Sequence, residues 1–65
     1  MITVGINRNE EARRFRIYKT FEEAKEHCYP GATVVRAVNT YFQSERLGFI
    51  VMDVHEANFR MIGER

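Results

Sequence analysis

Apolar and polar positions alternate at the start of the chain. Residues 2–6 place Ile, Val and Ile at every second position, which is typical of a half-buried β-strand. Polar residues 7–11 interrupt the pattern, and alternation resumes over residues 13–19, where Phe15 and Ile17 face the same side. Because the two segments are close in sequence, the pattern predicts two strands that form an antiparallel hairpin.

A helix start is the clearest local signal in the sequence. Thr20 and Glu23 have the spacing of a capping box, in which the Thr hydroxyl accepts from the amide of the third helical residue. Helical periodicity places one apolar face on Phe21, Ala24 and Cys28. Pro30 disfavours helical backbone at the preceding residue, so the helix is expected to end near Cys28 or Tyr29.

Strand-forming residues dominate the second half of the chain. Residues 32–42 are rich in Val and Thr, and residues 47–54 are apolar on both sides of the predicted strand. Residues 43–45 are the expected turn between them. Residues 55–58 are predicted to form another turn, and residues 59–62 a short final strand.

These elements predict one α+β domain over residues 1–65, in the order β-β-α-β-β-β. The expected architecture is an antiparallel sheet of four to five strands with one short helix on one face. One short helix cannot cover both sides of residues 47–54, so the remaining apolar surface is expected to be covered by the chain ends, a second copy of the chain or a partner. A homodimer is therefore one possible assembly.

Overall charge gives no argument for a polyanionic partner. Ten Lys and Arg residues nearly balance nine Asp and Glu residues, so general affinity for nucleic acid or membranes is not expected. The chain has one cysteine, which cannot form an internal disulfide. No signal sequence or membrane-spanning stretch is recognisable, and these features together predict a cytoplasmic protein.

The sequence contains no arrangement that is typical of a catalytic or metal site. His27 and Cys28 are neighbours on the predicted helix, where their side chains diverge by about 100°. Asp53 and His55 are expected on the same side of a strand end, where a local hydrogen bond is the simplest interpretation. The His and Cys residues lack zinc-type spacing. We therefore predict a protein that is not an enzyme and that has no catalytic residue, metal or cofactor.

Arginine is the most informative residue type in the chain. Eight of the ten basic residues are Arg, whose planar donor fork suits carboxylates and phosphates. Alternation places Arg14, Arg16 and Tyr18 on one side of the predicted second strand, and Arg36 joins them if its strand lies beside that one. The predicted partner-binding surface consists of Arg8, Arg13, Arg14, Arg16, Tyr18 and Arg36.

Two alternatives to this surface stay open. In the first, the basic side chains are solvated and pair with carboxylates, for which the candidates are Glu10, Glu11 and Glu45. In the second, the partner binds the acidic side of the helix, which carries Glu22, Glu23 and Glu26. An acidic helix together with a basic strand face favours oriented docking on a protein of mixed charge, or beside a nucleic acid, over general affinity for polyanions.

The central part of the chain resembles small phage-encoded inhibitor proteins. The resemblance rests on a strand ending in Ile17–Thr20, a capping-box helix with Glu23 and Ala24, and a Tyr29–Gly31 turn that enters the strand Thr33–Arg36. This run resembles anti-CRISPR proteins that block the type I surveillance complex, and it is also similar to the small phage inhibitor of bacterial RNA polymerase.

The resemblance implies stoichiometric inhibition by occlusion, without catalysis. The implied partner is a host complex that handles nucleic acid: a Cas subunit first, or an RNA polymerase subunit as the alternative. A small homodimeric structural or regulatory domain is a further possibility. Neither membrane binding nor direct nucleic-acid binding is expected.

Overall fold

A sheet of three strands forms the centre of the structure, a computed structural model that describes residues 1–62. The strands are β1 (Thr3–Ile6), β2 (Ala32–Asn39) and β3 (Arg46–Asp53). The helical segments are a 3₁₀ turn (Glu11–Arg13), α1 (Phe21–Glu26) and α2 (Val54–Arg60).

The central strand is β2, which pairs with both of the others. It is parallel to β1, with Val4 opposite Ala37, and antiparallel to β3, with Val35 opposite Ile50. A parallel pair requires a long crossover connection, and residues 7–31, which include α1, provide it. The first strand therefore pairs with the strand that follows α1, and the predicted hairpin does not form.

The α+β class is confirmed, whereas the predicted sheet and element order are wrong. The sheet is mixed and three-stranded, not an antiparallel sheet of four to five strands in the order β-β-α-β-β-β. Residues 13–19 do not form a strand and contact the sheet through an isolated bridge between Tyr18 and Phe49. The alternation of Phe15 and Ile17 reflects their packing against the core from an irregular segment.

A second helix replaces the predicted turn and final strand at residues 55–62. Asp53 caps α2, because its carboxylate accepts from the amides of His55 at 2.9 Å and Glu56 at 3.4 Å. This contact satisfies amide groups that have no partner within the helix. Of the predicted final strand, Met61 forms an isolated antiparallel bridge with Val4. The prediction of one short helix is therefore also wrong.

The capping box that predicted α1 is present in part. The Thr20 hydroxyl accepts from the Glu23 amide at 3.2 Å. The helix ends at Glu26, with His27 as its C-cap, slightly before the predicted end. The predicted strands 32–42 and 47–54 correspond to β2 and β3, with shorter or shifted bounds.

The core lies between α2 and one face of the sheet. Its largest fully buried side chains are Ile6, Ile50, Met52, Val4 and Val35. Ala57 of α2 belongs to the same cluster, and Phe15, Ile17 and Leu47 pack against it. Full burial of one such aliphatic side chain stabilises the fold by roughly 1.5–3 kcal/mol. Part of the apolar surface that motivated a homodimer is thus covered within the chain.

Within residues 1–62, α1 and α2 have six and seven residues, far fewer than the roughly 20 apolar residues of a membrane-spanning helix.

Candidate functional site

The sheet face opposite the core carries a row of aromatic and basic side chains. Tyr18 is paired with Phe49, and Phe49 is paired with Arg36 on the next strand. Residues directly opposite one another on neighbouring strands share a face. Since Phe49 and Ile50 are consecutive in β3, the row lies on the side opposite the buried Ile50.

Helix α1 packs on this second face. The Phe21 ring meets the Phe49 ring edge-on, with 6.3 Å between centroids and an interplanar angle of 80°. Ala24, one turn later, is completely buried. The helix has only six residues, or about 9 Å of axial length at 1.5 Å per residue, so it covers only part of the face.

A groove of about 350 Å³ opens on the uncovered part of this face. We call it the cationic groove, and its lining consists of Lys19, Arg36, Arg46, Leu47, Gly48 and Phe49. Arg46 is opposite Val38, two residues beyond Arg36 on β2. The hairpin register therefore brings both guanidinium groups to one face, and Lys19 joins them beside the Tyr18–Phe49 bridge.

The charges that line the cationic groove have the same sign. Within residues 1–62, salt bridges join Arg8 to Glu45 and Arg60 to both Glu11 and Glu56. In the same part of the chain, no salt bridge involves the cations of the groove, and its lining contains no carboxylate. A cluster of like charges in a concave surface attracts anions, and Arg forms paired hydrogen bonds with carboxylate or phosphate.

Aromatic rings support the cations around the groove. The Arg36 guanidinium carbon lies 6.0 Å from the centroid of Phe49, and that of Arg16 lies 5.8 Å from the centroid of Tyr18. The Tyr18 ring also stacks on His27, with 5.0 Å between centroids and an interplanar angle of 15°. Cation–π contacts favour guanidinium positions over the rings, so they limit the side-chain freedom that binding would otherwise remove.

The structure unites only part of the predicted binding surface. Tyr18 and Arg36 lie in one row with Phe49, and Arg16 lies over Tyr18. Arg13 and Arg14 are exposed in and after the 3₁₀ turn and do not line the groove.

Arg8 has a different surrounding from the other predicted residues. Its guanidinium pairs with the carboxylate of Glu45. This is one of the carboxylates that we considered as partners for solvated basic side chains.

Two cations that line the groove, Lys19 and Arg46, lie outside the binding surface predicted from the sequence. A hairpin folded about the predicted turn at residues 43–45 would have placed Arg46 opposite Phe42, far from Arg36. The register shift between Ala37 and Val38, however, decides which residue faces it. Lys19 follows Tyr18 directly, and alternation on a regular strand would place its side chain on the opposite face from Tyr18.

Other candidate chemistry is occupied by local structural contacts. The carboxylate of Asp53 caps α2 and accepts from the backbone of His55. The Cys28 thiol is half-buried and donates to the Ala32 carbonyl oxygen at 3.4 Å. Within residues 1–62, no group of three or more His, Cys, Asp or Glu side chains is arranged to hold a metal ion.

A larger depression of about 570 Å³ lies beside β1. It is lined by residues 1–3, Thr33, Val34, Met61 and Ile62, none of which has a charged side chain. Of these two concave surfaces, the cationic groove is therefore the one that carries charged side chains able to select a ligand of opposite charge.

Comparison with known proteins provides no relative for this chain. No family model, no curated protein and no solved structure matches it. The function must therefore be inferred from the cationic groove and its surroundings.

Proposed function

We propose that this chain is a non-enzymatic binding protein whose cationic groove docks on an acidic protein surface. The observation that carries the proposal is the grouping of Lys19, Arg36 and Arg46 around one groove without a lining carboxylate. Carboxylates of a partner would pair with the guanidinium groups through charge-assisted hydrogen bonds. The groove then provides orientation and specificity, as complementary charges do at protein interfaces.

The surroundings of the groove favour an acidic protein over a nucleic acid. Single-stranded nucleic acids bind by stacking bases on aromatic rings inside a basic groove, whereas the rings at this groove already have partners. Tyr18 contacts His27 and Arg16, and Phe49 contacts Phe21 and Arg36. The exposed rings of Tyr41 and Phe42 are not part of the groove lining. The formal net charge of +1 is also too small for general attraction to a polyphosphate backbone.

The more specific proposal is inhibition of a host complex by occlusion, in the host cytoplasm. Its support is the resemblance to phage-encoded inhibitors, of which the capped helix and the strand containing Thr33–Arg36 are present. The expected strand ending in Ile17–Thr20 does not form, and this segment has only the isolated Tyr18–Phe49 bridge. A Cas surveillance subunit is the first proposed partner, and an RNA polymerase subunit is the second. A small rigid domain would block either complex by covering the surface through which that complex binds nucleic acid or another subunit.

The groove is tested with a defined acidic probe. The probe is a capped peptide with a run of Asp and Glu, and its control is the same peptide with Asn and Gln; binding is followed by NMR titration of the full chain. The Arg36→Glu/Arg46→Glu variant should bind the acidic peptide at least tenfold more weakly, which corresponds to about 1.4 kcal/mol. The amide peptide should not bind detectably to either protein.

Arg13→Glu/Arg14→Glu is the matched control, because it changes the net charge equally outside the groove. It should retain most of the affinity of the unmodified protein. Equal losses in both variants would show a general charge effect and reject the groove as the docking site. Capture from host lysate with both variants as bait then tests the inhibitor proposal, since a genuine Cas or polymerase subunit should be lost only with the groove variant.

A further inference from the structure

Two large aromatic side chains are exposed in the loop between β2 and β3. Tyr41 is 75% exposed and Phe42 is 67% exposed. Tyr and Phe are enriched at protein interfaces relative to the rest of the surface. The pair is notable because the loop that carries it is short, covering residues 40–45.

The loop is held in place by the side chain of Asn39, which is only 7% exposed. Its Oδ1 atom accepts from the Tyr41 amide at 2.9 Å, and its Nδ2 atom donates to Oε1 of Glu45 at 2.8 Å. One side chain thus connects the two ends of the loop.

Backbone and charge contacts complete this arrangement. The Asn39 amide donates to the Glu45 carbonyl oxygen at 3.0 Å, and the Glu45 amide donates to the Phe42 carbonyl oxygen at 2.8 Å. The other carboxylate oxygen of Glu45 pairs with Arg8. Because the loop backbone is fixed before binding, little backbone entropy remains to be lost when its aromatic side chains meet a partner.

The aromatic pair lies near the cationic groove. Phe42 and Glu45 are the first and last residues of a hydrogen-bonded turn, which places their Cα atoms within about 7 Å of each other. Arg46, which lines the groove, follows Glu45 directly and lies at the base of the loop. The exposed aromatic pair and the cationic groove are therefore neighbours.

We propose that Tyr41 and Phe42 form the apolar anchor of the partner interface, entering an apolar depression beside the acidic patch that the groove binds. This inference rests on the proposed function and specifies the chemistry of the same partner. A protein surface fits both features, because interfaces combine a desolvated aromatic centre with surrounding charge pairs. Arg8, predicted from sequence as a contact residue, acts here by positioning the loop through Glu45.

The test uses two synthetic peptides that share one acidic run. In the first peptide the run is flanked by Leu and Trp, and in the second it is flanked by Ser at the same positions. The unmodified chain should prefer the first peptide by about tenfold, about 1.4 kcal/mol. Tyr41→Ser/Phe42→Ser should abolish this preference and leave the affinity for the second peptide unchanged.

Phe59→Ser is the matched control, because Phe59 is 91% exposed on α2 and should not affect the preference. A preference retained by the Tyr41→Ser/Phe42→Ser variant, with an unchanged melting temperature, would overturn the inference and leave the groove proposal intact. Self-association of the unmodified chain in sedimentation experiments, lost in that variant, would overturn it in favour of a second copy. If neither peptide binds the unmodified chain, the groove proposal fails and this inference fails with it.

Discussion

The backbone of Tyr18 passes so close to Gly48 that a Cβ atom on Gly48 would lie 2.7 Å from the Tyr18 carbonyl oxygen. The same atom would lie 2.5 Å from Cγ2 of Ile17, and the φ angle of Gly48 is +137°. Glycine at this position therefore allows the irregular segment before α1 to lie against β3. The Tyr18–Phe49 bridge and the position of Lys19 beside the groove depend on this approach.

Gly48→Ala should destabilise the protein by about 3 kcal/mol, because it combines a steric clash with backbone strain at positive φ. Gly31→Ala is the matched control, since Gly31 also has positive φ, +90°, but no atom lies within 4 Å of its added Cβ. The control should lose only about 1 kcal/mol. Urea unfolding measures both values, and equal losses would show that the contact with Tyr18 contributes nothing.

The N-cap of α2 leads to a second prediction. Asp53→Ala removes the acceptor for the His55 and Glu56 amides, and should lower the free energy of unfolding by about 1 kcal/mol. Asp53→Asn, which retains a capping oxygen, should recover most of this loss. Thermal unfolding of the two variants distinguishes capping from a general effect of the carboxylate charge. If the charge alone mattered, Asp53→Ala and Asp53→Asn would lose the same stability.

The two helices show which parts of the fold local sequence could predict. Thr20 and Glu23 identified α1 because an apolar face at helical spacing, formed by Phe21 and Ala24, follows the cap at once. Asp53 and Glu56 have the same spacing at the start of α2. Asp53 directly follows an apolar run, however, so the pattern predicts that it is the end of a strand. The signal was therefore present in the sequence, and the apolar run before it concealed it.

Pairing between distant segments could not be deduced from local patterns. Alternation in residues 2–6 predicts a strand correctly but does not say that its partner is β2, more than twenty-five residues later. The same alternation around Phe15 and Ile17 arises from packing against the core. The groove also depends on pairing between distant segments, because Arg36 and Arg46 become neighbours only through the shifted register of β2 and β3.

Glu11 gives a third prediction, which concerns pH. The amide of Asn7 donates to its carboxylate at 2.9 Å, and Arg60 of α2 lies 2.6 Å from the other oxygen. The Asn7 hydrogen bond and, secondly, Arg60 lower the pKa of Glu11 below its ordinary value of 4.5. A carboxyl whose pKa is lowered by folding stabilises the protein above its unfolded pKa, and this stabilisation is lost as the pH falls through the folded pKa.

Glu11→Gln should therefore cost about 1 kcal/mol at pH 7 and progressively less below the ordinary pKa of 4.5. Urea unfolding at a series of pH values, with Glu10→Gln as the control, measures the difference. A cost for Glu11→Gln that is independent of pH would contradict a role for the ionised carboxylate.

Asn39 leads to the last prediction, because its amide serves two different neighbours. Asn39→Leu leaves the Tyr41 amide and Oε1 of Glu45 without this partner, and should destabilise the protein by about 2 kcal/mol. Hydrogen exchange at the Tyr41 amide should also accelerate. Retained protection at Tyr41 would show that Asn39 does not hold the loop.

Asn39→Asp separates the two halves of this contact. The carboxylate of the variant still accepts from the Tyr41 amide. Its second oxygen, however, replaces the Nδ2 atom of Asn39, which lies 2.8 Å from Oε1 of Glu45 in the unmodified chain. Two neighbouring carboxylates raise the pKa of the pair, so this variant should gain stability relative to the unmodified chain as the pH falls from 7 and the pair takes up a proton. Unfolding measured from pH 7 to pH 4 tests the sign. A difference between the two proteins that stays constant over this range would show that residues 39 and 45 are not coupled, and that the side chain of Asn39 acts on the loop through the Tyr41 amide and not through Glu45.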